Sequence, residues 1–137
     1  MEAAFRAGGQ SGVPLIIGTN SHEGRFFPRF LDIIPTTDAR IAKMFAETDP
    51  AVKAKALAAY TGRHATADLG GDVVFWEPSV LVAQAHSRFA PTYMYRYDFA
   101  PRLLHLMGMR ATHGTELLAV FGFGDTIAGR GLTVFGG

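Results

Sequence analysis

Val13-Pro14-Leu15-Ile16-Ile17-Gly18 runs straight into Thr19-Asn20-Ser21-His22-Glu23-Gly24, and that junction sets the architecture. The first half is apolar with no alternation, the pattern of a strand buried on both faces inside a parallel sheet. The second half is polar and turn-prone. It falls at the carboxyl end of the strand, where open α/β sheets carry their chemistry. Residues 1–12, with Gly8, Gly9 and Gly12, read as loop after a short helical turn.

Downstream, Phe26, Phe27, Phe30 and Leu31 make an aromatic turn. Asp38 is placed to cap a helix over residues 39–47, with Ile41, Met44 and Phe45 on one face. Asp49 and Pro50 read as the N-cap and first residue of a helix that continues to Tyr60 and stops at Gly62. Residues 62–71 read as loop. A longer helix covers residues 72–89, and Pro78 interrupts it, so regular helix is expected from Pro78 with residues 72–77 as a first turn. In Thr92–Phe99 the residues Tyr93, Tyr95, Tyr97 and Phe99 share a face, which predicts a strand. Residues 100–112 read as irregular. His113-Gly114-Thr115-Glu116 leads into a short apolar helix over 117–121, and the tail from Gly122 has no period.

The order is strand, acid-bearing loop, helices, strand, histidine-bearing loop, helix. This is an α/β pattern, and helices between residues 39 and 89 as the crossover make the two strands parallel. Two strands alone form a marginal sheet, and its open edges predict poor solubility.

Composition narrows the function. The 137 residues are 48% apolar and only 18% charged, with a net charge of +1. A domain usually carries roughly a quarter charged residues, so this chain expects a partner surface, either another subunit or a missing stretch of its own fold. Three Lys and ten Arg are nearly matched by 12 acids, which disfavours nucleic acid as a partner. With no Cys, a disulfide framework, a thiolate zinc site, an iron–sulfur cluster and a cysteine nucleophile are excluded. No run approaches the roughly 18 apolar residues of a membrane span. Met1-Glu2-Ala3-Ala4-Phe5-Arg6 has an early acid and no apolar core, so it does not read as a secretory signal, and no compartment is assigned.

Glu23 and His113 are the candidate chemical pair. Each follows a predicted strand, and parallel strands bring their loops to one edge of the sheet. A carboxylate there can bond an imidazole N–H, fix its tautomer and prepare it to take a proton from a hydroxyl nucleophile. By spacing alone, a Glu beside a Gly is more commonly a solvated loop carboxylate. His105, Met107 and Met109 admit a copper reading, which loop packing explains better. Glu116 fits the positive end of the following helix. His64 and His86 read as solvated or packed.

The local words sharpen this. Gly18-Thr19-Asn20-Ser21-His22-Glu23-Gly24-Arg25-Phe26-Phe27 resembles the acid-loop motif of the type-B carboxylesterase family, which has the form G-T-N-x-x-E-G-x-F-F. His113-Gly114-Thr115-Glu116-Leu117, ending in Val120-Phe121-Gly122, resembles that family's histidine motif. Between them, Asp72-Val73-Val74-Phe75-Trp76-Glu77-Pro78 looks like its D-x-x-F-x-x-P helix start, and Tyr93-Met94-Tyr95-Arg96-Tyr97 looks like the aromatic strand before the histidine loop.

The resemblance implies the carboxyl-terminal portion of an α/β-hydrolase fold, a partial parallel sheet with helices that is incomplete on its own. Residues 1–137 would form part of a type-B carboxylesterase domain carrying the acid and histidine loops. Triad order in such enzymes is Ser, acid, His. Glu23 matches the acid and His113 the general base. Phe26 and Phe27 match positions that line the acyl or choline-binding pocket, although paired aromatics after a strand are more commonly plain core. The substrate would be a small-molecule carboxylic ester, with no cofactor and no metal.

One part of the pattern is missing. No G-x-S-x-G nucleophile elbow occurs; Gly9-Gln10-Ser11-Gly12-Val13 comes closest and precedes a strand. The Gly-rich oxyanion segment is also absent. The chain thus resembles an internal piece of a roughly four-times-longer enzyme. The expectation is a serine esterase whose N-terminal half, the missing partner, carries the serine, with the isolated 137 residues inactive. The alternative is a catalytically inactive truncated relative or a binding module of the same fold.

Overall fold

The structure is a computed structural model that describes residues 2–123, 126, 130 and 131. A short helix α1 (Glu2–Arg6) precedes strand β1 (Leu15–Asn20). A 3₁₀ turn (Glu23–Arg25) and helix α2 (Phe27–Phe30) follow, then α3 (Asp38–Met44), α4 (Pro50–Ala58) and α5 (Ala65–Gly71). A π-helical turn (Asp72–Trp76) joins α5 to α6 (Glu77–His86). Strand β2 (Thr92–Tyr97), α7 (Arg102–Leu106) and α8 (Leu117–Val120) complete the order.

β1 and β2 pair in parallel, in register from Leu15 with Thr92 to Asn20 with Tyr97. Everything between them is helical crossover, as the element order predicts. β1 begins two residues later than Val13 and extends through Thr19 and Asn20, which the sequence reads as turn. The ladder explains this, because β2 offers partners as far as Tyr97 and Ser21 N–H still donates to the Tyr97 carbonyl at 3.0 Å.

β1 has the residues of a strand buried on both faces, but a two-stranded sheet supplies too few neighbours to bury it. Ile16 is 73% exposed and its cross-strand partner Tyr93 is 63% exposed. No described element covers that face. The apolar run is the mark of an interior strand, but burial needs neighbours that these residues do not supply. The main apolar cluster sits elsewhere: Ala100, Leu104, Met109 and Ala111 are buried, with Phe26, Tyr97 and Met107 packed on them.

Two helical assignments also change. Residues 62–71 are not loop, because Ala65–Gly71 is helical. Gly70 and Gly71 are poor helix formers, but here they allow close packing. A Cβ on Gly71 would lie 2.5 Å from the Gly24 backbone nitrogen, and one on Gly24 would lie 1.7 Å from the Ala67 carbonyl oxygen. The acid-bearing turn therefore presses directly on α5, backbone to backbone. The expected start of regular helix near Pro78 holds, since α6 begins at Glu77, although it ends at His86, short of residue 89. The π turn, closed by Glu77 N–H to the Asp72 carbonyl, carries one helical path from Ala65 to His86. Residues 100–112 contain α7, whose five residues are too few to show a period.

The Asp49–Pro50 start holds, since the Asp49 carboxylate accepts from the N–H groups of Ala51 and Val52. That helix ends at Ala58, short of Tyr60. Asp38 is the first residue of α3, with Thr37 at the cap position, and α3 ends at Met44.

Candidate active site

Glu23 opens the 3₁₀ turn directly after β1 and is 92% buried, with 8% of its surface exposed. An ionised carboxylate so placed needs partners. Its Oε1 accepts from the Asn20 backbone N–H at 2.7 Å and from Asn20 Nδ2 at 3.3 Å. Its Oε2 faces His113 Nδ1 at 2.9 Å. Both oxygens are thus engaged, and Glu23 is not the water-facing loop carboxylate that spacing alone favours.

His113 lies ninety residues further along the chain. Two links bring it here. The parallel strands deliver both loops to one edge, and His22 N–H donates to the Ala111 carbonyl at 3.0 Å, tying the acid loop to the histidine loop. Helix α7 intervenes between β2 and His113, so the histidine follows its strand less directly than the sequence implies.

An ionised carboxylate can only accept, so Nδ1 is the donor in this bond and Nε2 is directed away from the carboxylate. The imidazole is flanked by aromatic neighbours in tilted contact. Phe75 lies 4.7 Å away between ring centroids and Phe27 lies 5.4 Å away. The side chain remains 46% exposed. The arrangement is a half-open imidazole held at Nδ1 by a buried carboxylate.

The open side of His113 borders a hollow of about 320 Å³. Phe26, Phe30, Leu104, Met107, Met109 and Leu118 give it apolar walls, with Thr112, Gly114 and Thr115 beside the histidine. Phe26 lines this hollow. Phe27 is 4% exposed and packs between Phe26, Phe75 and the imidazole. The two neighbouring rings therefore occupy different places.

Several other candidates are separated. Met107 and Met109 line the apolar hollow, but His105 lines a different, polar one. His64 borders that polar hollow too and accepts from Arg63 Nε at 2.8 Å. His86 is 3% exposed, with Nε2 2.9 Å from the Val13 carbonyl oxygen. His22 precedes Glu23 yet turns away from His113, with Nδ1 2.9 Å from Ser21 Oγ. Burial, then the charge of Arg25, lowers the His22 pKa below the usual histidine value.

Sequence reading misses three contributors. Asn20 holds Glu23 through both its backbone and its side chain, and its Nδ2 also donates to Glu116 Oε2. Glu116 is therefore a site neighbour as well as a helix-end charge. Phe75 packs against the histidine ring in a tilted contact. The signal for Asn20 is its place three residues before the acid, the reach of a side chain across one turn. Phe75 gives only a helical period, which says nothing of a partner on the histidine loop.

Known proteins share this arrangement of elements. Residues 2–128 match the carboxylesterase family. The para-nitrobenzyl esterase of Bacillus subtilis (strain 168) is 34% identical over 124 residues, an alignment covering 88% of this chain and 24% of that enzyme. Carboxylesterase 1E of Mus musculus is 33% identical over 134 residues, covering 80% of this chain and 24% of its own length. A solved PNB esterase structure superimposes with a TM-score of 0.68 at 30% identity, covering 90% of this chain and 25% of the other. The chain spans about a quarter of the length of these relatives.

Proposed function

This chain belongs to the carboxylesterase family and has part of an α/β-hydrolase fold, and from that premise we propose that it supplies the acid and the base of a serine carboxylic-ester hydrolase. Residues 1–137 are read as a partial domain whose catalytic loops end in Glu23 and His113. The contact of His113 Nδ1 with Glu23 Oε2 at 2.9 Å carries this reading.

His113 Nε2 takes the proton of a serine hydroxyl as that oxygen attacks the ester carbonyl. Glu23 holds the ring in the productive tautomer and stabilises the imidazolium that forms. The same nitrogen returns the proton to the departing alcohol. A water then enters, His113 deprotonates it, and the acyl-enzyme is released as a carboxylic acid. The serine and the oxyanion donors come from a segment outside these 137 residues, because no G-x-S-x-G occurs among them. The apolar hollow beside His113 suits an apolar group of the ester, with Phe26 on its wall. Phe27 acts by packing the imidazole.

The absence of the elbow also favours a second reading, a catalytically inactive relative that keeps the fold for binding. One experiment separates them. The 137-residue chain is assayed with p-nitrophenyl acetate, alone and joined behind the serine-bearing portion of the Bacillus para-nitrobenzyl esterase. The first reading expects no turnover alone and serine-dependent turnover in the joined protein, lost in His113→Ala. A folded, inactive hybrid favours the second reading. Turnover by the isolated chain with a covalent adduct on one of its own serines overturns both.

A further inference from the structure

We propose that the chain carries a binding site for a small organic dianion, a phosphate ester or a dicarboxylate, in a polar hollow separate from the one beside His113. The hollow holds about 480 Å³, within the range of small-molecule sites and far larger than a bare ion needs. His22, Arg25, Arg63, His64, His105, Gly108 and Arg110 line it. Every side chain on that wall is a cation or an imidazole.

The site is assembled from three separate stretches: the acid-bearing turn, the loop before α5, and the end of α7 with the loop after it. Arg25 is fixed first. Its Nε and one terminal nitrogen grip the two oxygens of Asp68 at 2.8 and 2.9 Å. Arg63 is placed next, with Nε on His64 at 2.8 Å. Gly108, at φ +73°, makes room for it, because a Cβ there would lie 2.6 Å from an Arg63 terminal nitrogen. Arg110 takes a left-handed backbone at φ +54°, unusual for a side chain of its size.

The charges do not balance. The acids acting on this wall are Asp68 and Asp98. Asp68 is engaged by Arg25, and Asp98 pairs with Arg96 at 3.0 Å. Arg63 and Arg110 therefore add positive potential that these carboxylates do not cancel. The imidazoles report that field. His22 is lowered by burial, then by Arg25 and Arg110 against Asp68 and Asp98. His64 is lowered by burial, then by Arg25, Arg63 and Arg29 against Asp68. Forked guanidinium groups match the geometry of phosphate and carboxylate oxygens, and an imidazole can donate a further N–H. A dianion with an organic body fills the remaining volume. This inference does not depend on ester hydrolysis.

The test is calorimetric titration of the full chain at low salt with phenyl phosphate, phthalate and inorganic phosphate, repeated on Arg63→Ala and Arg110→Gly. Glycine adopts the left-handed backbone at position 110 without strain. Saturable one-to-one binding of phenyl phosphate or phthalate is expected, about tenfold weaker in each variant, the size of a lost charge-assisted hydrogen bond. Whichever organic probe binds more tightly names the class. Inorganic phosphate binding as tightly as either would overturn the organic ligand. Affinity unchanged in both variants, or no saturable binding, overturns the site. Should a variant lose its circular dichroism signature, the histidine ring resonances of the unsubstituted chain decide. Shifts at His22 and His64 on adding phenyl phosphate or phthalate support the proposal, and their absence refutes it.

Discussion

The two hollows share the same loops yet have opposite character. Along the acid turn, Phe26 borders the apolar hollow, while His22 and Arg25 border the basic one. Along the loop after α7, Met107 and Met109 face the first, and Gly108 and Arg110 the second, with His105 at the end of α7 also on the second. Alternate residues of one short loop thus serve two environments. The loop is a thin wall, and a wall one backbone thick can separate a greasy surface from a charged one. The difference shows that chemistry here is partitioned by side-chain direction and not by distance along the chain.

This contrast can be broken most sharply at His113. In a serine-bearing hybrid, His113→Ala is expected to lower kcat by about 10⁴-fold or more. Arg110→Gly, on the other side of the wall, is expected to leave kcat unchanged, and steady-state kinetics with p-nitrophenyl acetate compare the two. Glu23→Gln comes next, with a kcat loss of about 10²–10⁴-fold and little change in KM, because an amide can present the wrong group to Nδ1. Equal loss in KM would mean that Glu23 shapes binding instead.

Gly24→Ala tests what the two sides have in common. The new methyl meets the Ala67 carbonyl oxygen, so α5 and the acid turn must separate. A stability loss of about 3 kcal/mol or more is expected from such overpacking, read as a lower urea midpoint. The smallest effect lies away from both hollows. Tyr60 donates to Asp72 Oδ2 at 2.8 Å, and burial followed by that bond pushes its pKa up to about 12. The unfolded chain releases this proton near the ordinary tyrosine value of about 10. The contribution is therefore full below pH 10 and is lost as pH rises toward 12. Tyr60→Phe should flatten that part of the melting-temperature profile in differential scanning calorimetry.

Much of this is legible in the residues. The apolar run after Val13 and the aromatic alternation after Thr92 announce the strands. Asp49 and Pro50 announce a helix start. The acid and histidine words name the pair that the fold brings to 2.9 Å. Other features leave no mark. The Gly70–Gly71 end of α5 reads as loop because helix propensity is local, whereas those glycines answer to a distant backbone. The five residues of α7 are too few for a periodic signal. Pro78 sits in the first turn of α6, where its missing N–H costs no bond within that helix, and the π turn before it carries the chain in from α5.

Residue order alone carries both strands, the Asp49–Pro50 helix start, the parallel crossover and the pairing of Glu23 with His113, since each follows from local sterics, hydrophobic period or a short motif. Tertiary packing alone assigns Asn20 to Glu23, Phe75 to His113 and Arg63 to the hollow at Gly108. Those pairings depend on where remote backbones meet. Hydrogen bonds and ring contacts act over a few ångströms of space, whatever the number of residues between their partners.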